Sequence, residues 1–370
     1  MVKDKVLNSP IDKKLDSFRK IRILHPKMQQ LLIKLKALIE LPGGNEIIIL
    51  MGPSGVGKST LIEELCKEII QASIAELEEN KSKLPLVKVE LVSPDSGLFN
   101  WKDFYIRILE AVNEPLIHKK ILYETNEEVA KKKRVFANHN PRTAPELRRS
   151  VENAFYYREP KVLIIDEAQH FTKMASGKRY TDQLDTLKSL SNLTRIPQLL
   201  VGTYELRDFV NLNGQLARRT MDIQFPRYDF NIKDDFNNYI GIIKGLLGKL
   251  PIKVLSEEII EQYEFLYERT LGCVGILKDW LVRSLKVALE EGNDVFTIEH
   301  MRRTALSINK ISKLLDEIEV GESLFIEQEE TVNSVRGKLG LSVSLSPIKK
   351  TSKKGKVGVR NPVRDKVGRD

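Results

Sequence analysis

The chain has 370 residues, of which 41% are hydrophobic, and a net charge of +9, so it is long and apolar enough for two or three domains with buried cores. No run approaches the roughly 18 apolar residues of a membrane span, and Lys3, Asp4 and Lys5 do not fit a signal peptide, so we expect a cytoplasmic protein without membrane association. Two cysteines and five scattered histidines argue against a disulfide framework and a metal-ligand cluster.

Residues 1–20 are polar and lack a clear apolar pattern, which predicts an N-terminal extension. Apolar residues between Ile21 and Ile39 then recur with helical spacing, and this helix is expected to end before Pro42, Gly43 and Gly44. Its apolar face packs either on the protein core or, in a nucleotide-binding domain, against the adenine.

The phosphate-binding motif G-x-x-x-x-G-K-[ST] is matched without mismatch after the apolar run 47–50, and apolar residues with helical spacing follow it. Its glycines let backbone N–H groups and a helix N-terminus surround a phosphate, while Lys58 adds charge at the β- and γ-phosphates. Ser59 is expected to bind Mg²⁺. The predicted ATP-binding residues are Gly52, Pro53, Ser54, Gly55, Val56, Gly57, Lys58, Ser59 and Thr60.

The region after this loop is predicted to contain a strand, a helix and a charged segment. Residues 87–92 alternate as a half-buried strand does, and residues 101–112 have helical spacing. Residues 113–141 carry many charges and few apolar side chains, which is typical of a solvated surface or of a nucleic-acid contact. The candidate DNA-binding residues of this segment are Lys119, Lys120, Lys131, Lys132, Lys133 and Arg134.

Two adjacent carboxylates, Asp166 and Glu167, follow the apolar run 162–165, after a helix expected at 142–157. A buried parallel strand delivers such residues to the carboxyl edge of a sheet. This is a Walker B signature, in which Asp166 is the candidate Mg²⁺ ligand that complements Ser59. Glu167 is the candidate base that orients and polarises the attacking water, so the pair predicts ATP hydrolysis in addition to binding.

Two further strands complete the predicted core. After a helix at 184–193, the strand 198–203 ends in Thr203, which either contacts the γ-phosphate or the water or is only a polar residue at a strand end. Arg218 and Arg219 precede the last strand, 221–226, where they are placed to reach a nucleotide held by a neighbouring subunit. The alternative for this arginine pair is surface ion pairing.

The chain beyond residue 229 is predicted to be helical to about residue 318, with no strand-like alternation. Lys278 follows Gly275 by three residues, a spacing that turns a cation towards the phosphates. Residues 336–370 contain eleven Lys or Arg and two Asp, so the excess charge of the chain lies in this tail. Because the tail has few large apolar residues, we predict a disordered basic arm that binds nucleic acid or an acidic protein; the alternative is a solubilising terminus.

The order of these features resembles an AAA+ ATPase, with a parallel-sheet α/β P-loop core, an all-helical lid and a disordered basic tail. The expected domains are an extension at 1–20, a nucleotide-binding core at 21–228, a lid at 229–320, and a linker and tail at 321–370. Within that class the chain resembles the TniB/TnsC family of transposition regulators. The resemblance rests on His25-Pro26, the phosphate loop, the segment 142–149, D-E-A-Q-H at 166–170, L-K-S-L at 187–190 and V-G-T-Y-E-L at 201–206.

The resemblance implies an adaptor that uses ATP and Mg²⁺, assembles as a ring or helical filament on duplex DNA, marks the target and recruits a transposase. The implied partners are double-stranded DNA, further copies of the chain, a transposase and a target-selecting protein. Lys278 departs from the arginine common at this lid position, and a lysine makes a point contact instead of a fork. The alternatives are a helicase or helicase loader, and a signalling ATPase whose helical half binds a protein.

Overall fold

The computed structural model describes residues 10–41, 47–93, 99–115, 117, 143–172, 178–207, 220–326 and 329–341. The chain divides into two compact units, residues 1–325 and 326–370. The first unit contains a parallel sheet, helices on both faces of the sheet and a helical C-terminal part. None of the described helices is long and apolar enough to cross a membrane.

Five parallel strands form the central sheet, which confirms the predicted fold class. The strands are β1 (Ile47–Met51), β2 (Val87–Glu90), β3 (Leu163–Asp166), β4 (Gln198–Gly202) and β5 (Thr220–Gln224). They lie in the order β2-β3-β4-β1-β5. Every residue of β1, β3 and β4 is buried, which explains the uninterrupted apolar runs of the sequence. Met51 lies beside Gly202 on one side and Gln224 on the other, so β1, β4 and β5 end together at the carboxyl edge.

Helices pack on both faces of this sheet. The described helices before β5 are α1 (Pro10–Lys20), α2 (Pro26–Glu40), α3 (Lys58–Ala72), α4 (Ile74–Glu79), α5 (Trp101–Ala111), α6 (Ala144–Arg158) and α7 (Lys178–Thr194). Ile48 of β1 packs with Leu35 of α2 and Leu65 of α3, whereas the next residue, Ile49, lies in the cluster that contains Val151 of α6. Successive side chains of a strand point to opposite faces, so β1 joins the two apolar clusters.

The chain beyond β5 forms a helical part with its own core. Its helices are α8 (Lys233–Leu247), α9 (Ser256–Glu261), α10 (Tyr263–Thr270), α11 (Val274–Glu290), α12 (Ile298–Thr304) and α13 (Ile308–Ser323). The prediction of a helical C-terminal part is confirmed. The expectation that it contains no strand is wrong, because β6 (Lys253–Val254) and β7 (Val295–Phe296) pair in parallel. Two residues a strand are too few to produce a visible alternation in the sequence.

The N-terminal helix α1 contributes to this second core. Leu15 and Phe18 are buried in the same apolar cluster as Tyr239 of α8 and Trp280 of α11. They lie three positions apart and therefore on one face of the helix. Two buried positions in 11 residues do not indicate a core-facing helix from sequence alone. Their burial fixes the carboxyl end of α1 beside α11.

The second unit contains the helix α14 (Glu329–Lys338), in which no residue is buried. Residues 336–338, where the predicted basic arm begins, form the last turn of this helix. The greater part of the arm, from residue 342 onwards, lies outside the described residues. The prediction that the arm is disordered and binds an anionic partner therefore stays a prediction.

Candidate nucleotide-binding site

The phosphate-binding motif forms a loop between the carboxyl end of β1 and the N-terminus of α3. The N–H of Gly52 donates to the carbonyl oxygen of Gly202 at 3.3 Å. Gly52 has no room for a side chain, because a Cβ there would lie 2.6 Å from the carbonyl oxygen of Phe225. Gly57 precedes α3 with φ of 116°, a left-handed conformation that favours glycine. The loop thus presents its backbone and the start of a 15-residue helix to one space, as anion binding requires.

Lys58 begins α3, and its amine lies over the loop. Nζ donates to the carbonyl oxygens of Gly52 at 2.8 Å and of Pro53 at 2.9 Å. Burial lowers the pKa of Lys58 to about 8, although the nearby Glu167 carboxylate acts in the opposite direction. A bound phosphate would stabilise the charged amine, so the loop is electrostatically suited to an anionic ligand.

A cavity of about 790 Å³ lies over the loop and has three walls. The first is formed by the phosphate loop and the first turn of α3, including Lys58 and Ser59. The second is the sheet edge, and the third is formed by α1, the residues after it, and α11. The sheet edge contributes Glu167, Gln169 and Thr203, and the third wall contributes Arg19, Arg22, Lys278 and Arg283. The structure therefore brings the phosphate loop, the proposed base, Thr203 and Lys278 to a single cavity.

Asp166 ends β3 and is only 6% exposed. Its Oδ1 accepts a hydrogen bond of 3.0 Å from the N–H of Glu167, and its Oδ2 lies 3.6 Å from Nζ of Lys88 on the adjacent strand β2. Lys88 therefore compensates the charge of a buried carboxylate. A serine hydroxyl and a carboxylate are oxygen ligands of the kind that Mg²⁺ prefers, so Ser59 and Asp166 fit this ion by their donor chemistry.

Glu167 leaves the strand with φ of 54°, in a left-handed conformation that is uncommon for a residue with a side chain. Its carboxylate lines the cavity, and Oε2 accepts a hydrogen bond of 2.5 Å from Nε2 of Gln169. Gln169 lies in a short 3₁₀ helix, Ala168–Thr172, that directly follows. A carboxylate held at the cavity wall is suited to accept a proton from a water molecule.

Thr203 directly follows β4 and lines the cavity. Its N–H donates to Oε1 of Gln169 at 3.3 Å. Its Oγ1 is buried and has no hydrogen-bond partner within the part of the chain that the structure describes. Buried hydroxyls are rarely left without a partner, and a phosphate oxygen or a water molecule in the cavity is the kind of partner that satisfies one. This observation supports a ligand contact for Thr203.

Lys278 lies on α11 and lines the cavity, but its amine binds protein groups. Nζ donates to the carbonyl oxygens of Arg19 at 2.8 Å and Ile21 at 2.5 Å, at the carboxyl end of α1. Burial lowers the pKa of this amine, and the charge of Arg22 lowers it further. The structure thus places the Lys278 amine on α1, whereas the sequence spacing directs it to the phosphates.

The start of α11 rests directly on the phosphate loop. The N–H groups of Gly275 and Ile276 both donate to the carbonyl oxygen of Gly55, at 2.7 and 3.3 Å. A Cβ at position 275 would lie 2.4 Å from the same oxygen, so any larger residue would displace the helix. This contact couples the position of α11 to the shape of the loop.

Eight predicted site residues lie outside the described residues: Arg218, Arg219, Lys119, Lys120, Lys131, Lys132, Lys133 and Arg134. Conversely, Gln169 and the arginines at 19, 22 and 283 line the cavity without having been predicted. The position of Gln169, two residues after Glu167, was a usable signal. The arginines have no such signal, because the wall that they line forms only when α1 packs on α11.

Comparison with known proteins is consistent with this geometry. The family described as an AAA domain matches residues 41–210. No curated protein matches the chain by sequence. The solved structure of the Aeropyrum pernix ORC2 protein, in ADPNP and ADP complexes, is 15% identical, with a TM-score of 0.51 over 79% of this chain and 72% of that chain.

Two other solved structures are similar at lower scores. A Walker-type ATPase of Pyrococcus abyssi is 17% identical, with a TM-score of 0.46 over 82% of this chain and 76% of that chain. The Drosophila ORC bound to DNA is 11% identical, with a TM-score of 0.47 over 92% of this chain and 76% of that chain. The family match and the Aeropyrum structure agree with the parallel sheet and the phosphate loop. The chain therefore has an AAA+ P-loop fold followed by a helical C-terminal part, and its residues 41–210 match the AAA domain family.

Proposed function

We propose that this protein binds ATP with Mg²⁺ in the cavity over the phosphate loop and hydrolyses it. The observation that carries the proposal is the convergence of Lys58, Glu167 and Thr203 on that cavity. The AAA domain and the AAA+ fold support ATPase activity in general. A volume of about 790 Å³ also lies within the range of small-molecule sites.

Two walls of the cavity, the phosphate loop and the sheet edge, have a part in the proposed reaction. The loop backbone and Lys58 hold the β- and γ-phosphates, Thr203 Oγ1 donates to a γ-phosphate oxygen, and Glu167 accepts a proton from the attacking water. The water oxygen bonds to the γ-phosphorus as the bond to the β–γ bridging oxygen breaks, which yields ADP and inorganic phosphate. Bound through Ser59 and Asp166, Mg²⁺ would neutralise charge on the phosphate oxygens.

The finer proposal is a regulator of DNA transposition that assembles on duplex DNA, marks the target site and recruits or activates a transposase. Its support is the combination of D-E-A-Q-H, L-K-S-L and V-G-T-Y-E-L in one chain, which is much narrower than the ATPase motifs alone. The charged segment at 113–141 and the basic arm would contact DNA phosphates, giving little sequence preference and strong salt dependence.

Oligomer assembly would depend on ATP in this proposal. Arg218 or Arg219 would enter the nucleotide site of a neighbouring copy, so that the γ-phosphate stabilises the subunit interface. Hydrolysis removes the group that the arginine holds and shortens the lifetime of the oligomer. The lifetime of the oligomer on DNA would therefore depend on whether the nucleotide has been hydrolysed.

The proposal is tested with purified full-length protein on plain duplex DNA. We expect ATP turnover above background and, with a non-hydrolysable ATP analogue and Mg²⁺, extended oligomers on DNA by electron microscopy. Strand separation would instead favour a helicase or helicase loader. Nucleotide turnover without DNA binding would favour a protein-binding signalling ATPase, and absence of turnover would contradict the ATPase itself.

A truncation tests the basic arm separately. Deletion of residues 336–370 removes eleven basic side chains and should weaken DNA or protein-partner binding more than it lowers ATP turnover. Filter binding at two salt concentrations measures the first quantity, and phosphate release measures the second. Unchanged binding to every partner would assign the arm a solubilising role.

A further inference from the structure

Gln169 connects two groups of the cavity wall that come from different strands. It lies three residues after the end of β3, and Thr203 follows β4, which pairs with β3. Its Nε2 donates to Oε2 of Glu167 at 2.5 Å, and its Oε1 accepts from the N–H of Thr203 at 3.3 Å. Both polar atoms of the amide are therefore engaged by residues of the candidate site.

The surroundings of Gln169 leave its amide little freedom. The residue is 8% exposed, and a Cβ at position 202 would lie only 2.5 Å from its Oε1. Gly202 thus gives the amide the space it needs to reach the backbone of Thr203. A buried amide between two fixed groups has one orientation that satisfies both its donor and its acceptor. The amide therefore holds the Glu167 carboxylate at the sheet edge.

We propose that Gln169 is a positioning residue for ATP hydrolysis, which holds the Glu167 carboxylate in place by its amide N–H and anchors that contact on the backbone of Thr203. This inference rests on the proposed ATPase function. Gln169 acts through Glu167 and takes no part in binding the phosphates. Misplacement of a reacting group by about 1 Å can lower a rate about 100-fold, so the effect belongs to turnover and leaves affinity unchanged.

Two substitutions separate the two contacts. Gln169→Leu removes both, whereas Gln169→Glu keeps an acceptor for the N–H of Thr203 and removes the donor to Glu167. We expect both variants to lower kcat by about 10- to 100-fold, and Gln169→Leu, which adds no charge to the cavity, to bind a fluorescent ATP analogue within about twofold of the wild type. Because Gln169→Leu can also lower stability, the melting temperature of each variant is measured alongside.

The matched control is Gln198→Leu. Gln198 is also buried, lies at the other end of β4, and donates from Nε2 to the carbonyl oxygen of Leu187 at 2.9 Å. We expect this control to lower the melting temperature and to keep kcat within about twofold of the wild type, since it touches no group of the cavity. An equal loss of kcat in the control would assign the effect at Gln169 to folding.

A double-mutant cycle with Glu167→Gln tests the route of the effect. If Gln169 acts only through the Glu167 carboxylate, adding Gln169→Leu to Glu167→Gln should change the residual single-turnover rate by less than about twofold. Additive losses would overturn the proposal, as would normal kcat in Gln169→Glu. Wild-type turnover is the separate readout of the ATPase function, so the two ideas can fail independently.

Discussion

At the sheet edge of the nucleotide cavity, Glu167 and Thr203 are fixed by hydrogen bonds to one buried side chain, Gln169. On the opposite wall, the side chains of Arg19 and Arg283 are exposed, and the bonds that hold the wall together run from Lys278 to backbone carbonyls of other residues. The first region is organised by hydrogen bonds within the protein. The second is held by hydrogen bonds from the amine of Lys278 to the carbonyl oxygens of Arg19 and Ile21.

This difference assigns separate tasks to the two walls. Chemistry requires groups held within a fraction of an ångström, and at the sheet edge the Gln169 amide bonds to the Glu167 side chain and to the Thr203 backbone. The wall formed by α1 and α11 contacts the loop through Gly275 and Gly55, and it is therefore placed to respond to the loop. Substitutions at the sheet edge should accordingly change turnover, and those on the helical wall should change stability or affinity.

The largest effect is expected from Glu167→Gln. The amide cannot accept the proton of water, so turnover should fall by about 100- to 10,000-fold, while nucleotide affinity and the proposed oligomers on DNA should persist because the phosphate and Mg²⁺ contacts remain. Phosphate release and binding of a fluorescent ATP analogue measure the two quantities. Glu110→Gln, at an exposed position of α5, is the matched control. Normal hydrolysis by Glu167→Gln would contradict the assigned base.

A second substitution tests whether Lys58 contributes to nucleotide binding. Lys58→Met removes the charge that lies over the loop, and we expect nucleotide affinity to fall by about 10- to 100-fold, as for the loss of one charged hydrogen bond. Lys67→Met is the control, since Lys67 is on the same helix and pairs with Glu64 at the surface. An unchanged dissociation constant would show that the phosphates do not bind at the loop.

The pH dependence of stability tests the buried contact between His25 and Tyr228. His25, 2% exposed, contacts the Tyr228 hydroxyl at 2.8 Å through Nδ1, and burial lowers its pKa to about 4 from an ordinary 6.5. Between pH 6.5 and 4, His25 therefore binds a proton in the unfolded chain but not in the folded chain. The free energy of unfolding must fall as the pH decreases through this range. We expect the free energy of unfolding to drop by about 2 kcal/mol from this residue between pH 7 and 5.

Urea unfolding at the two pH values measures this change. His25→Gln cannot titrate in this range, so the pH-dependent loss should be smaller in the variant by the same amount, whatever its stability at pH 7. Turnover per folded molecule should not follow the change, because His25 is not part of the sheet edge. Identical pH dependence in the two proteins would show that His25 is not the group responsible.

The sheet edge could be predicted because its signals are local. The run before Asp166 and the run before Gly52 are apolar on every residue, since both strands are buried on both faces, and the side chains at their ends follow directly. Parallel strands then bring these ends to one edge. The fold class, the helical C-terminal part and the relative placement of the loop and the paired acids needed no more information than this.

The helical wall depends on long-range packing that leaves no local signal. Lys278 bonds to carbonyl oxygens more than 250 residues away in the chain, and α1 is recognisable only by the burial of Leu15 and Phe18. The role of Gln169 lies between these cases. Its proximity to Glu167 is local, but its bond to Thr203 spans 34 residues and is fixed only when β3 and β4 pair.

The smallest effect is expected from Lys278→Met, which tests the helical wall directly. Because the amine bonds to α1, the substitution should lower the free energy of unfolding by about 1 kcal/mol and change nucleotide affinity by less than about threefold. Lys286→Met, on the exposed face of the same helix, should change neither. Urea unfolding measures the free energy of unfolding, and titration with a fluorescent ATP analogue measures nucleotide affinity. A tenfold loss of affinity would mean that the amine leaves α1 for the phosphates when nucleotide binds, and the two walls would then form one phosphate site.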